Sequence, residues 1–173
     1  MMPFDVSEKC RIVIEEYPFA DILKQKLLVD MESTYFTNPK SDVIRAQMTS
    51  YETQSKNISR LTNWIRLVTM ANYNIKDRLE FYNCWFVKYG MGDYNTTHFH
   101  HPGSFSFVYF IQTPRGSYPL VLTTSGKKVK AQEGKVVIFP SNVRHHVPKN
   151  RCDGRIVLAG NVVPGQLLKD MNP

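Results

Sequence analysis

Apolar residues recur at helical intervals through residues 18–36. Phe19, Ile22, Leu23, Leu27, Met31 and Tyr35 form a stripe, while Lys24, Lys26, Asp30 and Glu32 fall mostly on the opposite side. Pro18 suits the first turn of such a helix. A second amphipathic segment is expected from Ser59, read as its N-cap, to about residue 71, with Leu61, Trp64, Ile65 and Val68 as the buried stripe. Between the two, residues 43–51 alternate like a strand and set Arg45, Gln47, Thr49 and Tyr51 on one face. That polar face is a candidate cleft lining and substrate contact.

Beyond residue 80 the pattern shortens to β-prone runs broken by Gly and Pro: 80–89, 96–100, 104–112, 118–123, 134–139, 145–147 and 155–162. Few of these alternate cleanly, as expected of strands covered on both faces. The chain shows no internal repeat, low-complexity tract or linker. The expectation is one domain over residues 1–173, mainly β with supporting helices (α+β). Residues 1–80 supply helical support and first strands, and 81–165 a barrel or sandwich core.

A chain of 173 residues with 42% hydrophobic and 12% aromatic content can bury a core of its own. Neither a basic, apolar leader nor a membrane-length apolar run is visible, so a cytoplasmic protein is expected. Cys10, Cys84 and Cys152 show no C-x-x-C spacing, which argues against a disulfide framework or a thiolate zinc site. The net charge is +7, and residues 113–155, with nine Lys or Arg against Glu133 and Asp153, carry all of it. Lys127, Lys128 and Lys130 flank Ser125-Gly126, so the favoured reading is a turn and a charge-protected edge strand. The other reading, an acidic partner, is weaker, and nucleic acid weaker still because no aromatic platform interleaves with the lysines.

The chemistry lies in histidines. His98 and His100, two residues apart, point the same way from a strand, and His145 opens another strand. Neutral imidazole is a common metal ligand, so the three could hold zinc, iron or manganese, whereas any single one could equally be a hydrogen-bonding residue. His101 and His146 fall in the opposite phase and are expected to face outward, unless a bulge exchanges the roles. In the run 155–161, Arg155, Val157, Ala159 and Asn161 share one face, with Ile156 and Leu158 on the other. A lone guanidinium on an inward face suits a buried carboxylate, which it can grip with two hydrogen bonds. Trp64 and Trp85 read as core residues.

Tyr89-Gly90-Met91-Gly92-Asp93-Tyr94, His98-Phe99-His100-His101-Pro102-Gly103-Ser104, Ser106 to Ile111, Gly134 to Ser141, His145-His146-Val147 and Arg155 follow one another in an order and spacing that resembles the Fe(II)/2-oxoglutarate-dependent oxygenases. Within that superfamily the pattern resembles the short prolyl-hydroxylase-like proteins of phages and marine bacteria. It implies a double-stranded β-helix (jelly-roll, cupin-like) barrel of eight core strands, with His98 and His145 as iron ligands and His100 beside them as the third. It further implies that Arg155 holds the distal carboxylate of 2-oxoglutarate, with Tyr89 helping. Asn161, on the same strand face as Arg155, reads as either a further cofactor-site residue or a strand-end hydrogen-bonder. Ascorbate is a candidate reductant. The implied reaction hydroxylates a peptidyl, for instance prolyl, or small-molecule substrate and releases succinate and CO2, in the host cytoplasm if the gene is a phage's. Arg45, Gln47 and Tyr51 are the candidate substrate contacts.

Two departures stand out. Most such enzymes have Asp or Glu where this chain has His100, which leaves Asp93 or water as other candidates to complete the metal shell. Phe110 stands where relatives often have Tyr. The alternatives are a cupin-like three-histidine dioxygenase that uses no 2-oxoglutarate, and a non-catalytic metal-binding barrel.

Overall fold

A computed structural model describes residues 9–39 and 42–171. In chain order the elements are β1 (Val13–Glu16), α1 (Ala20–Glu32), β2 (Ile44–Arg45), β3 (Gln47–Met48), α2 (Lys56–Tyr73), β4 (Leu79–Tyr89), β5 (Tyr94–His98), β6 (Phe105–Gln112), β7 (Leu120–Leu122), β8 (Lys127–Val129), β9 (Lys135–Pro140), β10 (His145–Val147), β11 (Arg155–Pro164) and α3 (Gly165–Met171). They build two sheets, a six-stranded one in the order β1-β9-β6-β11-β4-β3 and a five-stranded one in the order β2-β5-β10-β7-β8. Neighbouring strands run antiparallel, as in β11 against β4 and β6. The chain is therefore mostly β, a sandwich with helices added, as its patterning predicts.

Two apolar layers hold the sandwich. One lies between the sheets and joins Trp85, Val87, Phe110, Phe139 and Val157 of the large sheet to Leu120, Val129 and Val147 of the small one. The other packs α1 and α2 on the outer face of the large sheet through Leu23, Leu27, Ile58, Leu61 and Ile65. Strand β11 contributes to both: Val157 and Ala159 face the small sheet, Ile156 and Leu158 the helices. This double coverage explains why the run reads as almost continuously apolar. At Gly160 a Cβ would sit 2.6 Å from the Asn83 carbonyl oxygen and 2.7 Å from the Phe107 ring, so the close approach of β4 and β6 requires glycine there.

Several expectations are corrected. Helix α1 is shorter than 18–36, and of its predicted stripe Leu23 and Leu27 are buried while Phe19, Ile22 and Tyr35 are exposed. Helix α2 begins earlier than predicted. Its N-cap is Ser55, not Ser59, and the Ser55 Oγ accepts the Ile58 N–H at 3.0 Å. The single strand expected over 43–51 is broken. Strand β2 pairs with β5 in the small sheet and β3 with β4 in the large one, so the chain crosses between sheets at Ala46. Strand β1 was not anticipated and forms an edge of the large sheet. Strand β8, with Lys127 and Lys128, is an edge strand of the small sheet, as the lysines suggested. No helix among the described residues is long and apolar enough to cross a membrane.

Candidate active site

The start of β10 lies against the end of β5, so that His145 is paired with His98 across the small sheet. Strand β5 ends at His98, and His100 stands in the loop beyond it rather than on the predicted strand. Its backbone N–H donates to the Ser141 carbonyl at 2.9 Å, which keeps the loop against the end of β9. The ring centroids are 4.3 Å apart for His98 and His145, 5.0 Å for His98 and His100, and 5.1 Å for His100 and His145. One ligating nitrogen from each lies within 4.8 Å of the others. Adjacent ligands about 2.1 Å from a first-row ion are roughly 3 Å apart, so modest ring rotations close the set.

Backbone carbonyls set the tautomers of two rings. The Nδ1 of His98 is 2.8 Å from the Thr96 oxygen, and that of His145 is 3.0 Å from the Val143 oxygen. A carbonyl only accepts, so each Nδ1 carries the proton and each Nε2 offers a lone pair. Burial keeps the rings neutral. It depresses His145 to about 3 and His100 to about 4, with neighbouring imidazoles adding to the effect, and lowers His98 against the opposing pull of the Thr96 carbonyl. His145 is buried, while His98 and His100 are half-buried and reachable from outside.

Arg155 opens β11 opposite Tyr89 and is 1% exposed. Its guanidinium carbon stands 4.4 Å from the Tyr89 ring centroid and 5.8 Å from that of Phe110. The contact with Tyr89 is therefore stacking on the ring face. Among the described residues none of the three guanidinium nitrogens makes a hydrogen bond of good geometry, the Tyr89 oxygen being the polar neighbour, and no carboxylate pairs with the group. Burial pushes its pKa down, and Tyr89 acts in the other direction. An unpaired buried cation is expensive, so the arrangement suits a site that receives an anion.

Asn95, which the sequence reading missed, organises this end of the site. Its Oδ1 accepts the Val147 N–H and its Nδ2 donates to the Tyr89 hydroxyl at 3.3 Å. The phenol of Tyr89, held protonated by burial, then has its own hydrogen left to donate. Asn95 and His98 are three residues apart, yet the register against β10 slips between the pairs His145–His98 and Val147–Asn95. The extra residue in β5 lets both side chains serve the interior.

His98, His100, His145, Tyr89, Asn95 and Arg155 line one cavity, walled by Trp85, Val87, Phe139 and other apolar side chains. Its free space is about 30 Å³, smaller than a five-carbon dicarboxylate, so occupancy by one requires side chains to shift.

Other candidates lie elsewhere. Asn161 is buried, but its Nδ2 donates to Asn83 at 2.7 Å and its Oδ1 accepts from Ser106 at 2.7 Å, so its amide is engaged within the protein. Arg45 and Gln47 are exposed while Ala46 and Met48 turn inward, so the polar face expected over 43–51 does not line the cavity. Thr49 is buried, bonded to the Phe86 N–H at 3.0 Å. Tyr51 is 52% exposed and reaches the site indirectly, its ring on Trp85 at 4.9 Å and Trp85 on His100 at 5.7 Å. Asp93 accepts the Gly90 N–H at 2.7 Å within the β4–β5 turn and is outside the histidine cluster. His101 is exposed, and the His146 Nδ1 bonds Thr123 at 3.0 Å on the outer side.

No family model and no curated protein matches the chain in sequence. Solved structures match it in fold. The viral collagen prolyl hydroxylase of Paramecium bursaria Chlorella virus-1, in its 2-oxoglutarate complex, superposes with a TM-score of 0.70 at 12% identity, over 87% of this chain and 94% of that one. A Pseudomonas putida prolyl-4-hydroxylase gives 0.66 at 17% identity, over 88% and 92%. A Trichoplax adhaerens prolyl hydroxylase, bound to a hypoxia-inducible-factor peptide fragment, gives 0.70 at 11%, over 94% and 87%. The fold is that of the prolyl hydroxylases and other 2-oxoglutarate/Fe(II) oxygenases, as the sequence resemblance implied.

Proposed function

We propose that this chain is an Fe(II)- and 2-oxoglutarate-dependent oxygenase that hydroxylates a peptidyl side chain. The observation that carries the reading is Arg155, a buried guanidinium without a partner among the described residues, in the same cavity as three neutral imidazoles. The strand order supports a double-stranded β-helix. Strands β9-β6-β11-β4 and β5-β10-β7-β8 form two four-stranded halves between which the chain passes repeatedly. When bound, iron and 2-oxoglutarate supply oxidation of a C–H bond by O2, the cosubstrate leaving as succinate and CO2.

The residues present fit both groups. One lone pair from each of the three imidazoles, Nε2 in His98 and His145, would occupy one side of a bound ion and leave room for further ligands. Hydrogen bonds to Thr96 and Val143 hold two of those rings in ligating orientation. Arg155 offers the distal carboxylate a two-pronged charged grip, and the Tyr89 hydroxyl, steered by Asn95, donates a further bond. Apolar walls exclude water and strengthen those contacts. Tyr51, whose ring packs on Trp85 beside His100, also lines a cleft of about 350 Å³ with Arg66, Tyr82 and Asn83, and this cleft is the proposed approach for a peptide. The prolyl hydroxylases of like fold support that substrate class.

A second reading, a three-histidine dioxygenase without 2-oxoglutarate, draws on His100 in the place of a carboxylate. It leaves the unpaired Arg155 unexplained. The deciding assay is iron-dependent succinate release from 2-oxoglutarate, in the presence of prolyl peptides and in their absence. Release that disappears in His145→Ala is expected; no iron-dependent succinate under any of these conditions would overturn the proposal.

A further inference from the structure

A further concavity, distinct from the histidine site and from the cleft lined by Tyr51, lies where the two sheets end. Strand β1 is the last strand of the large sheet and β8 the last of the small one, and between them opens a groove of about 860 Å³. Its floor includes Ile12, Ile14 and Val143, with Ile14 49% exposed. Its rim carries Lys9, Lys127, Lys128 and Arg144, all exposed, and no acidic residue lines it among the described residues. None of these four cations has a carboxylate partner among the described residues, and Arg144 instead packs over the Phe99 ring at 5.7 Å.

Protection of an edge strand needs charge on that strand alone. It does not account for Lys9 and Arg144 converging on the same groove from distant parts of the chain, nor for an aliphatic floor beneath them. That combination is complementary to a ligand with negative charge outside and apolar groups beneath. The floor offers no aromatic ring on which a base could stack, which disfavours a nucleic-acid strand. Two sheet edges with no further strand beside them among the described residues can hydrogen-bond an extended main chain, and the alternation of such a chain sends every second side chain to the floor.

We propose that this groove docks an acidic polypeptide segment in extended conformation, with alternating acidic and aliphatic residues. The loop Asn142 to Arg144 forms part of the groove and also supplies the Val143 carbonyl that orients His145, so the docking site abuts the histidine centre without sharing its ligands.

The test is fluorescence anisotropy of the whole chain with three labelled probes: a peptide of alternating Glu and Val, its Lys-for-Glu counterpart, and a single-stranded oligonucleotide of the same charge as the first. The Glu peptide is expected to bind and to weaken as salt rises. Lys127→Glu/Lys128→Glu should weaken it roughly tenfold or more. That change keeps the edge charged, so melting and monodispersity should match the parent. Lys9→Glu gives the same readout at an independent position, should the double variant fold poorly. Equal binding of the Lys peptide, tighter binding of the oligonucleotide, or an unchanged affinity in the charge-reversed proteins would overturn the proposal. The readout uses neither metal nor 2-oxoglutarate, so this assay and the succinate assay can fail independently.

Discussion

A guanidinium that is 1% exposed and has no carboxylate partner among the described residues is costly to keep buried, and the sign of a substitution there is diagnostic. In ligand-free protein, Arg155→Met should leave stability to urea unchanged or raise it by about 1–3 kcal/mol, because an unsatisfied buried polar group is removed. A marked loss would mean that the arginine serves the fold. Asn95→Ala is expected to act in the other direction. It strands the Val147 N–H and frees the Tyr89 hydroxyl, at a cost of about 1–3 kcal/mol in the same measurement. The imidazoles give a pH signature. Their folded-state pKa values lie below the ordinary 6.5, at about 4 for His100 and about 3 for His145, so between those limits the unfolded chain binds more protons than the folded one. Stability of metal-free protein should therefore fall as pH drops from 7 to 5, with a shallower slope in His100→Gln/His145→Gln. Equal slopes would show that the rings titrate normally. His98, His145 and Arg155 were legible because strand position and residue chemistry coincide there, whereas His100 was read from a strand spacing but is carried by the loop after β5. Asn95 was not, since a bulge in β5 places it in the interior out of phase with His98.

At the scale of elements, β4 to β7 and β9 to β11 could be read from runs of β-prone residues between Gly and Pro, with edges that fell within a few residues, and β8 only from its lysines. The failures have separate causes. Serines at 55 and 59 both precede an amphipathic run, and the choice between them is made by a tertiary contact: Ser55 donates to Asp30 at 2.5 Å while its oxygen caps Ile58. Asn57 donates to the same carboxylate at 3.1 Å, so the start of α2 is tied to α1. Ser55→Ala should cost about 1–2 kcal/mol, read by thermal melting, whereas Ser59→Ala should be near neutral. The stripe on α1 misled because Phe19 and Ile22 are apolar yet exposed, and periodicity cannot tell a packed face from a bare one. The alternation over 43–51 is real, but the chain changes sheets at Ala46, so Arg45 and Gln47 end on the outside.

On the scale of the whole molecule, the sandwich gives the two concavities different characters. The histidine cavity is enclosed between the sheets, nearly filled, and contains a single unpaired cation. The groove between β1 and β8 is open, aliphatic at its base and basic at its rim, and it gathers three of the nine basic residues of 113–155, Lys127, Lys128 and Arg144, with Lys9. The fold is shared at 11–17% identity with prolyl hydroxylases, so agreement at the site depends on a few side chains held by a common frame. The claim that joins the scales is that Arg155 and the imidazoles form one site for a metal and a dicarboxylate. Calorimetric titration of 2-oxoglutarate into Mn(II)-loaded protein tests it directly. Binding that is saturable, weakened at least roughly a hundredfold in Arg155→Met and lost without metal is the predicted result, on the scale of a buried charge-assisted contact. Unchanged affinity in Arg155→Met, or no binding to the metal-loaded parent, would contradict it.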